Sequence, residues 1–197
     1  MSNNLHKNAS FQHILDTTEQ LIKEKGCRHT TLQDIIERTG LSKGAIYHYV
    51  SGKDELFGLV LKAKMEQMDT NFHGVVEKTS PKDAVLPTQF IAGGMAAQTE
   101  GHDVTSKIFT YLLGQIDNPK VESLLNEIYG FSLNTAKSWI QTGQNAGAIP
   151  EEINAEKMAA LFMVFTYGLR VQNIISKNAG PQIQIDDILK VLLRSLQ

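Results

Sequence analysis

Residues 30–57 read TTLQDIIERTGLSKGAIYHYVSGKDELF, and this stretch predicts two short helices joined by a tight turn. Either Thr30 or Thr31 can cap the first of them through its hydroxyl oxygen. Asp34 then falls in the first turn, where a capping box or the helix dipole favours a carboxylate. We expect this helix to end near Arg38, because a glycine follows two residues later.

The segment after the first short helix has the residues of a turn and of a second helix. Gly40 tolerates a positive φ, and Ser42 is placed to cap a helix that continues through Tyr49. Apolar positions suited to lock the two helices together are Ile35, Ile36, Leu41 and Ile46. A glycine turn between two short helices with a shared apolar side predicts a helix-turn-helix, whose second helix can enter the major groove of DNA.

The outward positions of the second short helix combine a cation, small residues and rings that carry hydrogen-bonding atoms. Small residues permit close approach to base edges, and the polar atoms can bond to them. Helix starts and hydroxyl groups commonly meet phosphates, which adds Thr31 and Lys53 to the set. The predicted DNA-binding residues are Thr31, Ser42, Lys43, Gly44, Ala45, Tyr47, His48, Tyr49 and Lys53. Tyr47 and Tyr49 are two residues apart and cannot share a helix face, so one of them is expected to pack inward.

The quoted stretch resembles the signature of the TetR family of repressors, and the resemblance extends from Phe11 to about Lys64. The rest of the chain is similar to that family only in its length and helix pattern. Two residues depart from the family pattern and are interpreted as packing variants: Cys27 replaces an aromatic residue, and Val50 replaces a phenylalanine. The resemblance implies an all-α, nine-helix subunit with a three-helix DNA-binding head and a C-terminal body that binds a small effector.

The resemblance also implies a role for each residue of the head. Lys43, Gly44 and Ala45 would face base edges, whereas Tyr47 and Lys53 would contact phosphates. His48 and Tyr49 would lie close to the DNA backbone, and Thr31 would anchor the first short helix on the opposite wall of the groove.

Helical periodicity extends along most of the chain. The first helix runs from Phe11 to Lys25–Gly26, a basic turn followed by a glycine, and a fourth helix runs from Lys53 to about Thr70. Five further helices are predicted at Lys82–Thr99, Thr105–Gln115, Pro119–Asn145, Asn154–Lys177 and Ile185–Leu196. The domain prediction is a disordered tail over residues 1–9, a DNA-binding domain over 10–52 with its motif at 31–50, and an effector-binding and dimerisation domain over 53–197.

Composition favours a cytoplasmic protein and gives no sign of a membrane span. The 197 residues carry a formal net charge of -2 and one cysteine, and the chain does not open on a secretory signal. Up to Lys64 there are nine Lys and Arg against seven Asp and Glu, so the small basic excess lies at the N-terminal end. That polarity fits a head that approaches phosphate, although two charges alone decide nothing.

Aromatic and methionine side chains are frequent after the head, and they favour either an ordinary core or an apolar effector pocket. The candidate pocket residues are Met65, Met68, Phe72, Phe90, Phe109, Tyr111, Tyr129, Trp139 and Phe162. The last two helices could complete the core or form a four-helix dimer interface. The candidate interface residues are Phe162, Phe165, Leu169, Leu189, Leu192 and Leu196. Dimerisation is expected because one head contacts too few bases for operator-level specificity.

Other function classes have weaker support. Glu66 with His73, or the cluster at residues 100–103, lacks the spacing of a di-iron bundle or of a known nucleophile motif. His29 and His48 have no accompanying metal motif, so no metal or cofactor is predicted. A helical protein-interaction module remains the third possibility. The leading prediction is a homodimeric repressor that binds pseudo-palindromic operator DNA and is released by an effector, with activation left open.

Overall fold

The protein is all-helical over the part that the computed structural model describes, residues 9–78, 104–147, 149–175 and 187–188. Seven helices lie in these ranges: α1 (Ala9–His29), α2 (Leu32–Thr39), α3 (Lys43–Tyr49), α4 (Lys53–Lys78), α5 (Val104–Leu113), α6 (Pro119–Asn145) and α7 (Ala155–Ile175). No strand occurs among the described residues, which confirms the all-α part of the predicted fold class. Residues 1–8 of the predicted tail, the helix at 82–99 and most of the helix at 185–196 lie outside the described residues, whereas Ala9, predicted to lie in the tail, is the first residue of α1.

The caps and turns of the head follow the sequence prediction closely. Thr31 is the N-cap of α2 and forms a reciprocal capping box with Asp34. Gly40 ends α2 with a φ of 69°, the left-handed conformation that glycine adopts without steric cost. Ser42 caps α3 by accepting a hydrogen bond from the backbone N–H of Ala45. These local interactions confirm the predicted limits of both helices of the motif.

The first helix continues further than predicted. Gly26 has a φ of 77° and interrupts the helical backbone, as a C-terminal glycine would, but helical residues resume and reach His29. The hydroxyl group and the N–H of Thr30 both donate to the carbonyl oxygen of Gly26, at 2.9 and 3.2 Å. These bonds close an additional turn, so α1 ends at His29, three residues after Gly26.

The predicted end of the fourth helix at Thr70 is wrong, because α4 continues to Lys78. The residues around Thr70 are polar, yet Phe72 is buried and its ring lies 5.0 Å from that of Trp139. The indole N–H of Trp139 also donates to Asp69 at 2.7 Å. Tertiary packing therefore overrides the local polarity and extends the helix by two turns.

The described chain divides into two compact units. One contains residues 9–64 and 104–128, and the other contains residues 65–78, 129–147, 149–175 and 187–188. In the first unit α2 and α5 both pack against α1. Its largest fully buried side chains include Phe11, Ile22 and Phe57. The helix-turn-helix thus shares its core with α5, a helix more than fifty residues further along the chain.

None of the helices in the described ranges has the length and apolar character required to cross a bilayer.

Candidate nucleic-acid interface

The two helices of the motif are locked together by a small apolar core. Ile35 of α2 and Ile46 of α3 are fully buried, and Leu41 in the turn is half-buried. Thr39 supports the turn, because its hydroxyl donates to the carbonyl of Ile35 at 2.7 Å and accepts from the N–H of Leu41 at 3.3 Å. The interior positions therefore match the predicted set, and they hold α3 at a defined angle to α2.

Two ion pairs fasten α2 to α1. Lys25 lies 2.7 Å from Asp34, and Arg38 lies 2.7 Å from Glu24. Hydrogen bonds from Lys25 and then from Thr31 lower the pKa of Asp34 to about 2. The carboxylate is therefore ionised at neutral pH and completes both the capping box and the ion pair.

The outer face of α3 is open to solvent. Ser42, Lys43, Gly44, Tyr47 and His48 are exposed, while Ala45 is half-buried. Nothing but the Ser42 hydroxyl lies near the position that a side chain on Gly44 would occupy, so the backbone can approach another surface closely there. This face has the cation, the small residue and the polar rings that major-groove readout requires.

Lys43 and Tyr47 are organised as a pair on this face. The ammonium of Lys43 lies over the Tyr47 ring, 5.6 Å from its centroid, and the two residues are one helical turn apart. Tyr47 is 47% exposed, which is unusual for a large aromatic side chain. The pair thus presents a cation and a phenol together, without either side chain being needed for the core.

Tyr49 takes the inward role that the spacing required of one tyrosine. Its ring packs against Phe11 of α1 at 5.1 Å and against the edge of His48 at 5.3 Å. Phe11 is buried, so this contact joins the end of α3 to the core of the head. Tyr49 thus packs inward in this structure, while His48, which its ring contacts, remains exposed.

The two predicted phosphate contacts at helix starts are already engaged within the protein. The exposed hydroxyl of Thr31 donates to Asp34 at 2.6 Å. The ammonium of Lys53 donates to the carbonyl oxygens of Cys27 and Arg28, at 3.2 and 3.5 Å. It also lies over the rings of Phe57 and Tyr111, with centroids at 5.6 and 5.0 Å. Sequence reasoning did not foresee this enclosure, since Tyr111 is distant in the chain.

Comparisons with known proteins agree with this geometry. Residues 14–60 match the family model of bacterial regulatory proteins of the tetR family. The chain is 23% identical to the HTH-type transcriptional regulator YfiR of Bacillus subtilis over 86% of this chain and 82% of that one. It is 22% identical to the HTH-type transcriptional repressor DhaR of a Mycobacterium species, over 94% and 91%. A TetR transcription regulator from Haloarcula marismortui has the same fold, with a TM-score of 0.65 over 94% of each chain and 16% identity.

Residues 14–60, which contain the helix-turn-helix, match the TetR family of bacterial regulatory proteins. The chain is a DNA-binding, helix-turn-helix transcriptional regulator, and the relatives it matches are regulators rather than enzymes. Within the described ranges no three His, Cys, Asp or Glu side chains are grouped so that they could hold a metal ion. Of the residues weighed for catalysis, His73 lies 3.5 Å from Asp69 on the same helix, whereas residues 100–103 are outside the described ranges.

The predicted pocket residues are divided between the two units. Phe72 and Trp139 are buried, Met65 and Met68 are half-buried, and Met65 accepts a hydrogen bond from Ser132. Tyr129 is exposed at 41%, and Phe162 is half-buried. All six belong to the second unit. Phe90 is outside the described residues.

The other two predicted pocket residues, Phe109 and Tyr111, belong to the first unit. The Tyr111 hydroxyl donates to Asp54 at 3.0 Å, and its ring meets Phe57 edge-on at 5.5 Å. Tyr111 thus contacts the start of α4, and its assignment to an effector pocket stays a prediction. A cleft of about 600 Å³ lies in this unit between the first turns of α4 and α6, and none of the predicted pocket residues lines it.

The regulator exposes a different face of α7 from the one predicted for the dimer. Leu169 is only 4% exposed within the subunit, and Phe162 and Phe165 are half-buried. The exposed positions at helical spacing are Leu161, Val164, Gly168, Val171 and Ile175. We call this set the α7 stripe. Leu189, Leu192 and Leu196 lie outside the described residues.

Proposed function

We propose that this regulator is a repressor that binds pseudo-palindromic operator DNA as a homodimer and leaves it when a small molecule binds. The observation that carries the proposal is the outer face of α3, where a cation, a glycine and an exposed tyrosine stand clear of the core. In a repressor of this kind α3 is the recognition helix and lies in the major groove. A repressor of chromosomal DNA acts in the cytoplasm, and we assign the protein to that compartment.

We assign base contacts to Lys43, Gly44 and Ala45, at the start of α3. The N-terminal residues of a recognition helix are those that come nearest to base edges. Phosphate contacts are assigned to Tyr47, His48 and Lys53, and to the hydroxyl groups of Thr31 and Ser42 at the helix caps. Phosphate contacts set position and orientation, whereas base contacts set sequence preference. Tyr49 acts through packing.

Two substitutions test this division. Lys43→Ala is expected to change the sequence that the protein selects from a random duplex pool, because a base contact is lost. Lys53→Ala is expected to weaken all duplexes about equally and to flatten the dependence of log affinity on log salt by about one unit. Lys157→Ala, an exposed lysine of α7, is the matched control and should leave both quantities unchanged. An altered preference between operators in Lys53→Ala would contradict the assignment.

The proposed dimer uses the α7 stripe. Five positions at helical spacing form an apolar surface that a single subunit leaves in water. A two-fold axis beside α7 would pair this surface with itself and produce part of a four-helix interface. We retain the nine-helix subunit in this proposal, with a tail over 1–9, a head over 10–52 and a body over 53–197. Two heads joined in this way can read two half-sites.

The proposed effector is a largely apolar small molecule that binds in the second unit. Support comes from the buried aromatic pair of Phe72 and Trp139 with the adaptable side chain of Met65 beside Ser132. Ligand pockets are commonly apolar with a few polar groups. Calorimetric titration with lipophilic and aromatic compounds should find one that weakens operator binding by roughly 5- to 150-fold, the usual range of allosteric coupling. A panel that binds but never changes operator affinity would count against effector release.

A further inference from the structure

The enclosed ammonium of Lys53 is the feature of the first unit that the proposed function does not explain. Its Nζ atom donates to the carbonyl of Cys27 at 3.2 Å, and it lies 5.0 Å from the centroid of Tyr111 and 5.6 Å from that of Phe57. We call this surrounding group the lysine cage. A cation between two carbonyl oxygens and two ring faces is held by both hydrogen bonding and ring electrostatics.

Tyr111 is held firmly in the lysine cage. Its hydroxyl donates to Asp54, the residue next to Lys53, and its ring packs edge-on against Phe57. Helix α5, which carries Tyr111, also packs against α1. The ring is therefore a fixed wall of the cage rather than a surface side chain that meets the lysine by chance.

A phosphate and the lysine cage require the same ammonium group. A phosphate oxygen needs Nζ in solvent, whereas the cage directs it towards the end of α1 and the ring of Tyr111. We propose that Tyr111 is a positioning residue for operator binding, which competes with the DNA phosphate for Lys53 and so limits affinity. This inference rests on the phosphate contact assigned to Lys53 under the proposed function.

Competition for Lys53 would couple the position of α5 to the affinity of the protein for DNA. A displacement of α5 that withdraws the ring would release Lys53 and favour the DNA-bound state, while DNA binding would in turn favour the withdrawn position. Helix α4 carries the lysine and α5 carries the ring that holds it. The affinity of the head therefore depends on a helix outside the helix-turn-helix motif.

The experiment compares four full-length proteins on one duplex, selected by the wild-type protein from a random pool: wild type, Tyr111→Leu, Lys53→Ala and the double variant. Fluorescence anisotropy at fixed salt gives each dissociation constant. Tyr111→Leu should tighten binding by about two- to five-fold, the size expected for loss of a cation–π contact. In the Lys53→Ala background the same substitution should have no effect, because the ammonium it acts through is absent.

Tyr111→Phe is the conservative control. It keeps the ring and loses only the bond to Asp54, so its affinity should lie closer to wild type than that of Tyr111→Leu. If Tyr111→Leu does not fold, Tyr111→Met retains an unbranched apolar side chain without a ring and replaces it in the comparison. Thermal unfolding of each variant shows which proteins are folded.

Three outcomes would overturn the inference. Unchanged or weaker binding by the folded variant that lacks the ring would show that Tyr111 does not compete with DNA. An equal change in the presence and absence of Lys53 would show that Tyr111 acts through the structure of the head. If Lys53→Ala alone leaves affinity unchanged, both this inference and the assigned phosphate contact fail, whereas the first two outcomes leave that contact intact.

Discussion

Asp34→Asn is expected to loosen the attachment of α2 to α1, and the loss should depend on pH. In the native protein the carboxylate accepts hydrogen bonds from Lys25, from the Thr31 hydroxyl and from the Thr31 backbone N–H, at 2.7, 2.6 and 2.7 Å. Asparagine retains an acceptor for the cap but removes the charge that Lys25 faces. The substitution therefore isolates the charged part of the interaction.

The lowered pKa of Asp34 gives the size of the expected loss of stability. These bonds, with that from Lys25 the largest contribution, lower the pKa of Asp34 from its usual 3.8 to about 2. Such a shift corresponds to at most about 2.5 kcal/mol of native-state stabilisation at neutral pH. Because the side chain is 29% exposed, solvent screening reduces the expected loss to about 1 kcal/mol.

The lowered pKa of Asp34 also decides how the stability difference changes with pH. Its stabilisation is fully present above pH 3.8 and is lost as the pH falls through about 2. Urea unfolding monitored by circular dichroism should therefore show wild type more stable than Asp34→Asn by about 1 kcal/mol at pH 7 and by about half of that at pH 3. Asp16→Asn, on the exposed side of α1, is the matched control. A difference that stays constant from pH 7 to pH 3 would refute the reasoning.

Three further predictions concern other parts of the molecule. Gly58→Ala should lower the free energy of unfolding by about 1 to 3 kcal/mol, because a Cβ there would lie 2.7 Å from the side chain of Leu124; a neutral result in thermal or urea unfolding would mean that Leu124 moves aside. Val164→Glu should shift sedimentation from dimer towards monomer, because Val164 is 65% exposed in the α7 stripe, whereas Asn126→Glu, at an exposed position of α6, should not. Cys27 should react with iodoacetamide much more slowly at pH 8 than free cysteine does, because burial raises its pKa to about 11 and leaves little thiolate. Urea should restore the rate, and rapid native alkylation would disprove the burial.

Coupling between regulatory and DNA-binding parts is expected to involve both α4 and α5. Helix α4 follows the motif directly, so its movement would be passed to the motif. The structure adds Tyr111, whose hydroxyl is bonded to the first turn of α4 and whose ring faces Lys53. A mechanism that moved α4 alone would therefore have to break these contacts or carry α5 with it.

The helix-turn-helix could be predicted because its determinants are local. The hydroxyl cap of Ser42, the left-handed Gly40 and the capping box of Thr31 and Asp34 each act within four residues, so the printed sequence already contains both partners of each interaction. Helical spacing likewise separates the buried Ile46 from the exposed Tyr47. These are the features that the structure confirms.

Three features could be known only from the tertiary structure: the surroundings of Lys53, the length of α4 and the exposed side of α7. Each depends on partners far away in sequence: Tyr111 closes the lysine cage, and Trp139 packs on Phe72 and extends α4 past its polar residues. Helical periodicity shows that α7 is rich in apolar residues, but it does not show which of its apolar sides the other helices cover. Short-range hydrogen bonds and backbone preferences can be predicted from residues that are adjacent in the sequence. The burial of a side chain depends instead on which distant residues pack against it in the folded protein.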